Sequence, residues 1–248
     1  NVGTVTVTVT GKGKYEGTLG TTYKITPATL TVETPNASKV YDGQPLTAAG
    51  TIKGFVNDET ATFTTTGSQT EVGSTENTYS LEWDGTAKAS NYTVSATIGK
   101  LTITAKSIEG EDSGLVVEKP ADVTYNGQPQ EQKPVVKDTK LNTTLVEDTD
   151  YTLEYSADTT NVGTVTVTVT GKGKYEGTLG TTYKIIARNV TLTSGSASKE
   201  YDGTPLTKAG VVISEDGFVE DEVADVLAVG SITNVGSVDN TIKIVATD

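Results

Sequence analysis

The chain contains no cysteine, no histidine and no methionine in 248 residues, and a single tryptophan. Without thiols or imidazoles there is no disulfide framework, no thiolate nucleophile, no imidazole base and no ordinary zinc site. Catalysis would have to come from carboxylates, hydroxyls and lysines alone. An enzyme is therefore not expected, and no catalytic residue, cofactor-binding residue, metal ligand or cofactor is assigned. Basic residues are also scarce, 19 Lys+Arg against 32 Asp+Glu for a net charge of −13. That balance argues against a nucleic-acid binder, whose affinity depends on clustered Lys and Arg, and no basic stripe appears. No run approaches the roughly 18 apolar residues of a membrane span, and no signal-peptide core is visible. The missing initiating Met is expected of an internal slice or a processed product.

Threonine is abundant instead: 48 residues, with 26 Gly and an apolar content of 34%. Such a composition suits many short, half-exposed strands, and the expected class is all-β. A Cys-free, Thr-rich acidic chain also suits the outside of a bacterial cell.

Repetition dominates the sequence. Asn1 to Ile25, NVGTVTVTVTGKGKYEGTLGTTYKI, recurs letter for letter from Asn161 to Ile185, an offset of 160. SKVYDGQPLTAAG from Ser38 matches SKEYDGTPLTKAG from Ser198, and GFVNDE from Gly54 matches GFVEDE from Gly217 after the extra residues Ser214, Glu215 and Asp216, which mark a loop. Val72-Gly73 then pairs with Val235-Gly236. Self-similarity at fixed spacing is the mark of an array. Within it a half-period shows as YDGQP at Tyr41, YNGQP at Tyr125 and YDGTP at Tyr201, which sets a unit of about 80 residues. The expected organisation is the tail of one module (1–26), a complete module (27–105), a complete sister module (106–187) and the front of another (188–248). Short linkers fall near Thr26-Pro27, Ala105-Lys106 and Ala187-Arg188. They predict a semi-rigid rod. The two partial modules are expected to expose strand edges and apolar faces, to be completed by each other or by neighbours in a longer array.

Thr4 to Thr10 alternates strictly, placing Val5, Val7 and Val9 on an inward face and Thr4, Thr6, Thr8 and Thr10 toward water. Gly11 to Gly17, GKGKYEG, then reverses the chain into a hairpin. Tyr79, Leu81 and Trp83 share one face of another strand. A short helix is expected within Asp216 to Val229, where Val219, Val223 and Val226 recur at spacings of four and three.

The ordered set K-x-Y-D-G-x-P at Lys39 to Pro45, G-F-V at Gly54, V-G at Val72, N-Y-T at Asn91 and L-T-I-T at Leu101 resembles the YDG and MBG repeat modules of bacterial surface proteins. The unit at 106–187 resembles sister modules strung along large secreted proteins of gut Firmicutes. The resemblance implies small β-rich modules of β-grasp-like or immunoglobulin-like character, and it implies no ligand.

Several residues are candidate sites. Tyr41, Tyr125 and Tyr201 can be sugar-stacking platforms or anchors beside turns, and their fixed place in the plan favours anchors. Trp83 is the more lectin-like residue, but its counterpart is Ala246, so an inward strand position fits better. Glu147, Asp148 and Asp150, or the carboxylates from Asp216 to Asp225, are oxygen donors for Ca²⁺, yet no D-x-D-x-D-G loop frames them. Lys39, Asn91 and Glu59 are the parts of an isopeptide cross-link, but Val123 and Lys174 stand where the sister module would repeat the first two. The Thr rank at Thr4, Thr6, Thr8 and Thr10 invites an ice-binding reading, which ordinary solvent-facing strand Thr explains with less. Sequons at Asn36, Asn91, Asn142 and Asn189 matter only in a glycosylating host.

The resulting expectation is a non-enzymatic stalk or spacer region of a bacterial cell-surface or extracellular filamentous adhesin. Its partners are neighbouring repeats of the same array. The alternative is a multivalent adhesion module that binds host glycan or protein through avidity.

Overall fold

The computed structural model describes residues 2–214 and 217–247. Among the described residues the regular structure is nearly all β, with 47% of the chain in strands, two single-turn 3₁₀ segments, Ala89–Asn91 and Glu111–Ser113, and no α-helix. Its contacts divide it into two compact units. The first comprises 1–115, 138–151 and 171–177; the second comprises 116–137, 152–170 and 178–248.

The first unit opens with a hairpin of β1 (Gly3–Thr10) and β2 (Thr18–Ile25). They pair antiparallel, Val5 opposite Tyr23 and Val9 opposite Leu19, and Gly11 N–H donates to Gly17 O at 2.8 Å to close the turn. The valines expected inward are not covered: Val5, Val7 and Val9 are 58, 41 and 63% exposed. The alternation makes the ribbon two-faced, but a face becomes buried only when other strands lie on it.

The following segment supplies such strands: β3 (Ala28–Glu33), β4 (Ala37–Val40), β5 (Thr51–Lys53), β6 (Thr62–Thr65), β7 (Gly73–Glu76), β8 (Tyr79–Glu82), β9 (Tyr92–Thr97) and β10 (Lys100–Thr104). The first strand pair and the last run together. β3 is parallel to β9, and after an interruption β4 is parallel to β10, while β5 and β7 flank them antiparallel. At the interruption the two chains come very close. A Cβ on Gly99 would lie 2.3 Å from the Pro35 carbonyl, so only glycine fits, and the buried Thr34 hydroxyl accepts the Gly99 N–H at 2.9 Å. Alternating Leu30 and Val32 on β3 and Leu101 and Ile103 on β10 are almost fully buried. Tyr92 and Ala87 join Leu30, with Phe55, Leu81 and Trp83 packed against them.

In the second unit the repeat, apart from its turn 171–177, appears again as an antiparallel pair, Gly163–Gly171 with Thr178–Ile186, in the same register, Val165 opposite Tyr183. Here a strand flanks each side, Val123–Thr124 in parallel and Tyr151–Tyr155 in the order of the same sheet. Val165, Val167, Tyr183 and Ile185 are buried with Val123, Tyr125, Leu153 and Tyr155 against them.

Beyond residue 187 the pairs are short: Leu192–Ser194 with Val211–Ile213, Leu206–Thr207 with Ser231–Ile232, and Val223–Ala228 with Ile242–Ala246. No described residue there is buried. Val223–Ala228 corrects the expected helix. A β-bulge between Val223 and Asp225 adds one residue to the strand, so Val223 and Val226 end up on one side at a spacing of three. That spacing imitates a helical turn in the sequence. Asp216, in the same expected helix, lies outside the described residues.

Candidate functional site

The three Y-x-G turns are built alike. Asp42, Asn126 and Asp202 each accept, through a side-chain oxygen, the backbone N–H two residues on, at 2.9 Å in all three cases. The glycine that follows takes φ of 75°, 74° and 74° at Gly43, Gly127 and Gly203, a region open to glycine and strained for other side chains. Lys39 pairs with Asp42 at 2.6 Å and Lys199 with Asp202 at 2.8 Å. These lysines, together with the backbone donors, hold both carboxyls below the usual aspartate range.

What the turns touch is more informative. Tyr41 meets Tyr175 edge to face, ring centroids 6.3 Å apart, and Lys174 Nζ lies 5.3 Å from the Tyr41 ring centroid. The same ammonium pairs with Glu71 at 3.2 Å. The Glu71 carboxylate first, and the Tyr41 hydroxyl second, raise the Lys174 pKa. Gly43 faces Leu141. At the second turn the Tyr125 hydroxyl donates to the Glu222 carboxylate, which together with burial pushes the phenol up, and Gly127 stands against Val219. Thus in each of two successive turns the tyrosine and the glycine contact residues roughly 90 to 135 positions further along the chain. Tyr201 is 67% exposed, and Gly203 has open space where a Cβ would stand. Tyr41 is not among the buried core residues, and Tyr125 packs on one core from its edge, so the anchor reading describes Tyr125 only in part.

The other candidates disperse. Trp83 stacks on Tyr92 at 6.0 Å and 22° and so packs onto the core around Leu30. Lys39 is held by Asp42, the Asn91 side-chain oxygen accepts the Val2 N–H at 3.1 Å, and Glu59 accepts the Tyr92 hydroxyl at 2.7 Å, so the three are not assembled as a cross-link. Asp150 accepts the Val146 N–H at 2.9 Å, and the Asp148 N–H donates to Tyr151 O. These are turn contacts beside Glu147, and among the described residues no group of three or more His, Cys, Asp or Glu is placed to hold a metal ion. On the Thr rank of β1 the hydroxyl-bearing and valine faces are both exposed. Of the sequons, the Asn36 side chain accepts the Lys100 N–H at 2.7 Å, Asn142 sits at φ 50°, and Asn189 is exposed.

Two polar networks escaped the sequence reading. Lys106 and Asp138 form a buried pair at 2.5 Å, and the Tyr175 hydroxyl donates to the same carboxylate at 3.3 Å. Burial first and the Asp138 charge second push the Tyr175 phenol far up. Asp138 also accepts the backbone N–H of Lys140 and Leu141 through its other oxygen, so both carboxylate oxygens are engaged. The second network centres on buried Asn77, whose amide donates to Pro35 O at 3.0 Å and Ala48 O at 2.9 Å. Asn240 repeats it, donating to Gly195 O and Lys208 O, both at 2.9 Å. A signal was present here, since Asn-Thr recurs at 77–78 and 240–241 in the shifted register. For Lys106 and Asp138 there was none, because isolated charges read as surface.

Residues 30–102 match the family model of the MBG domain (YGX type), a similarity consistent with a YDG/MBG-type module in this segment. That family is generally found in surface proteins. No curated protein and no solved structure matches the chain. Among the described residues no helix is long and apolar enough to cross a membrane.

Proposed function

We propose that the chain is a non-enzymatic structural repeat region, a stalk or spacer in a bacterial cell-surface or extracellular filamentous adhesin, made of the modules 27–105 and 106–187 with partial modules at 1–26 and 188–248. One observation carries this reading. What recurs from module to module is the Y-x-G turn with its Asx bond and its left-handed glycine, and at Tyr41 and Tyr125 that turn touches a following stretch of the array. Recurrence therefore falls on residues that fold a unit and join it to its neighbour, and not on a set of reactive side chains. A joint held by an aromatic ring, an ammonium and a carboxylate restricts bending more than a bare linker does.

The test is small-angle scattering of the whole chain, extrapolated to zero concentration. The spacer reading expects an elongated particle whose long dimension grows when one further 160-residue period is inserted. A compact particle, or an insertion that thickens it without lengthening it, rejects the proposal. The adhesion alternative, binding of host glycan or protein, needs an exposed patch repeated in every module. Trp83 is stacked on Tyr92, and Ala246 stands at its repeat position, so no observation favours it.

A further inference from the structure

The buried pair of Lys106 and Asp138 has a geometry that an ion pair does not need. Lys106 stands directly opposite Tyr175 in a short parallel pairing, Lys106–Ser107 with Tyr175–Glu176, and the Lys106 N–H donates to Lys174 O at 2.9 Å. Opposed residues share a face, so the amine and the phenol reach the same point. That point is Asp138, the last residue of the strand Val135–Asp138. Asp138 is completely buried, Lys106 is 8% exposed and Tyr175 4%. The two carboxyl oxygens differ in their surroundings. Oδ1 accepts two backbone N–H groups, from Lys140 at 3.0 Å and from Leu141 at 3.1 Å. Oδ2 receives Lys106 Nζ at 2.5 Å and the Tyr175 hydroxyl at 3.3 Å. Two backbone donors converging on one oxygen form an oxyanion hole, and a hydroxyl on the other is placed to protonate a leaving group.

We propose that Lys106 and Asp138 condense spontaneously into an isopeptide cross-link, with Tyr175 as proton donor to the departing oxygen. This goes beyond the spacer reading and stands on the site alone. In a dehydrated site the charged pair is costly, so a proton passes from Nζ to Oδ2 and leaves a neutral amine beside a neutral carboxyl. The Nζ lone pair forms a bond to Cγ while the carbonyl electrons move onto Oδ1, where the Lys140 and Leu141 N–H groups hold the negative charge. Tyr175 gives its proton to Oδ2 and recovers one from the substituted nitrogen. The Oδ1 electrons re-form the carbonyl, the Cγ–Oδ2 bond breaks, and Oδ2 leaves as water. One ammonium and one carboxylate thus become one amide and one water, with no oxidant or further reactant. The fixed geometry supplies an effective molarity of about 10⁵–10⁸ M, and exclusion of bulk water holds back hydrolysis. The link ties together positions 32 residues apart in the chain.

Intact-mass spectrometry of the full chain in denaturant tests the proposal. The expected mass is one water below that of the sequence, and tandem spectrometry of a tryptic digest finds residues 138–140 attached to Lys106, where trypsin no longer cuts. Both readings use the wild-type chain, so neither depends on a variant that folds. K106R keeps a cation but has no condensing amine, and it shows the full sequence mass. Dehydration at an Asp-Gly pair such as Asp84-Gly85 gives the same mass loss, but it survives K106R and leaves no branched peptide. For Tyr175 the readout is rate. In chains made by cell-free synthesis and quenched in urea at intervals, Y175F forms the link about 100-fold more slowly, the low end of general-acid catalysis. A wild-type chain at full sequence mass overturns the proposal, as does a water loss that persists in K106R or lacks the branched peptide. An unchanged rate in Y175F overturns the part given to Tyr175. The mass is indifferent to particle shape, so the spacer reading stands or fails separately.

Discussion

Residues 1–25 and 161–185 are the same 25 letters in two environments. Both fold into the same antiparallel ribbon, with Val5 opposite Tyr23 in one and Val165 opposite Tyr183 in the other. Burial separates them. Val5, Val7 and Val9 are 58, 41 and 63% exposed, against 1, 0 and 0% for Val165, Val167 and Val169. Strand pairing and register are therefore written locally, in the Val-Thr alternation and the glycine turn. The core is not. It needs Val123, Tyr125, Leu153 and Tyr155, which come from roughly 10 to 60 residues earlier in the chain. Each valine so covered stabilises the fold by about 1.5–3 kcal/mol, and its twin contributes little of this.

Identical substitutions in the two copies should break or sharpen that contrast. The largest difference is expected for V167D against V7D. A charge at buried Val167 costs at least about 3 kcal/mol and unfolds its sheet, while V7D stays within about 0.5 kcal/mol, both read from urea denaturation. Next come N77A and N240A, which carry the comparison to the other repeated pair. Removing buried Asn77 strands two backbone carbonyls and costs about 1–3 kcal/mol, and the more exposed Asn240 costs under about 1. Y183F follows, at about 1 kcal/mol, because the Tyr183 hydroxyl donates to Gln130 O; Y23F should leave the melting temperature unchanged.

The smallest effect concerns Asp122, which accepts the Lys184 N–H at 2.9 Å in the second copy. That bond first, and the Lys119 ammonium second, lower the Asp122 pKa from 3.8. A depressed folded pKa means stability that is present above pH 3.8 and is lost as the pH falls through the lower folded value. The melting temperature of wild type should approach that of D122N in this acid window and exceed it slightly at neutral pH. A constant gap down to the lowest pH would count against the assignment.

How much was legible follows the same division. The all-β class, the hairpins and the period were written in alternation, Gly-rich turns and repetition. The exposure of Val5, Val7 and Val9 was hidden because alternation marks a face without saying what covers it. The helix expected near Val219 to Val226 failed because a bulge between Val223 and Asp225 converts a period of two into an apparent three. The joints at Tyr41 and Tyr125 were visible only as recurrent tyrosines. Their partners, Lys174 and Glu222, lie in different surroundings and share no motif.

The parallel pairing of first and last strands sets how the segment 28–104 would respond to tension. Six residue pairs join β3 to β9 and four join β4 to β10, all with both strands pointing the same way. Tension applied at Ala28 and Thr104 pulls along these strands in opposite senses, so the hydrogen bonds are loaded side by side and must yield together. An antiparallel pair pulled from its open end parts one bond at a time. The segment Val123–Thr124 lies parallel to Thr178–Ile186 and is loaded in the same way. A tether of such units resists extension by shear, with the Gly99 crossing at Pro35 as the point where two successive sets of bonds share the strain.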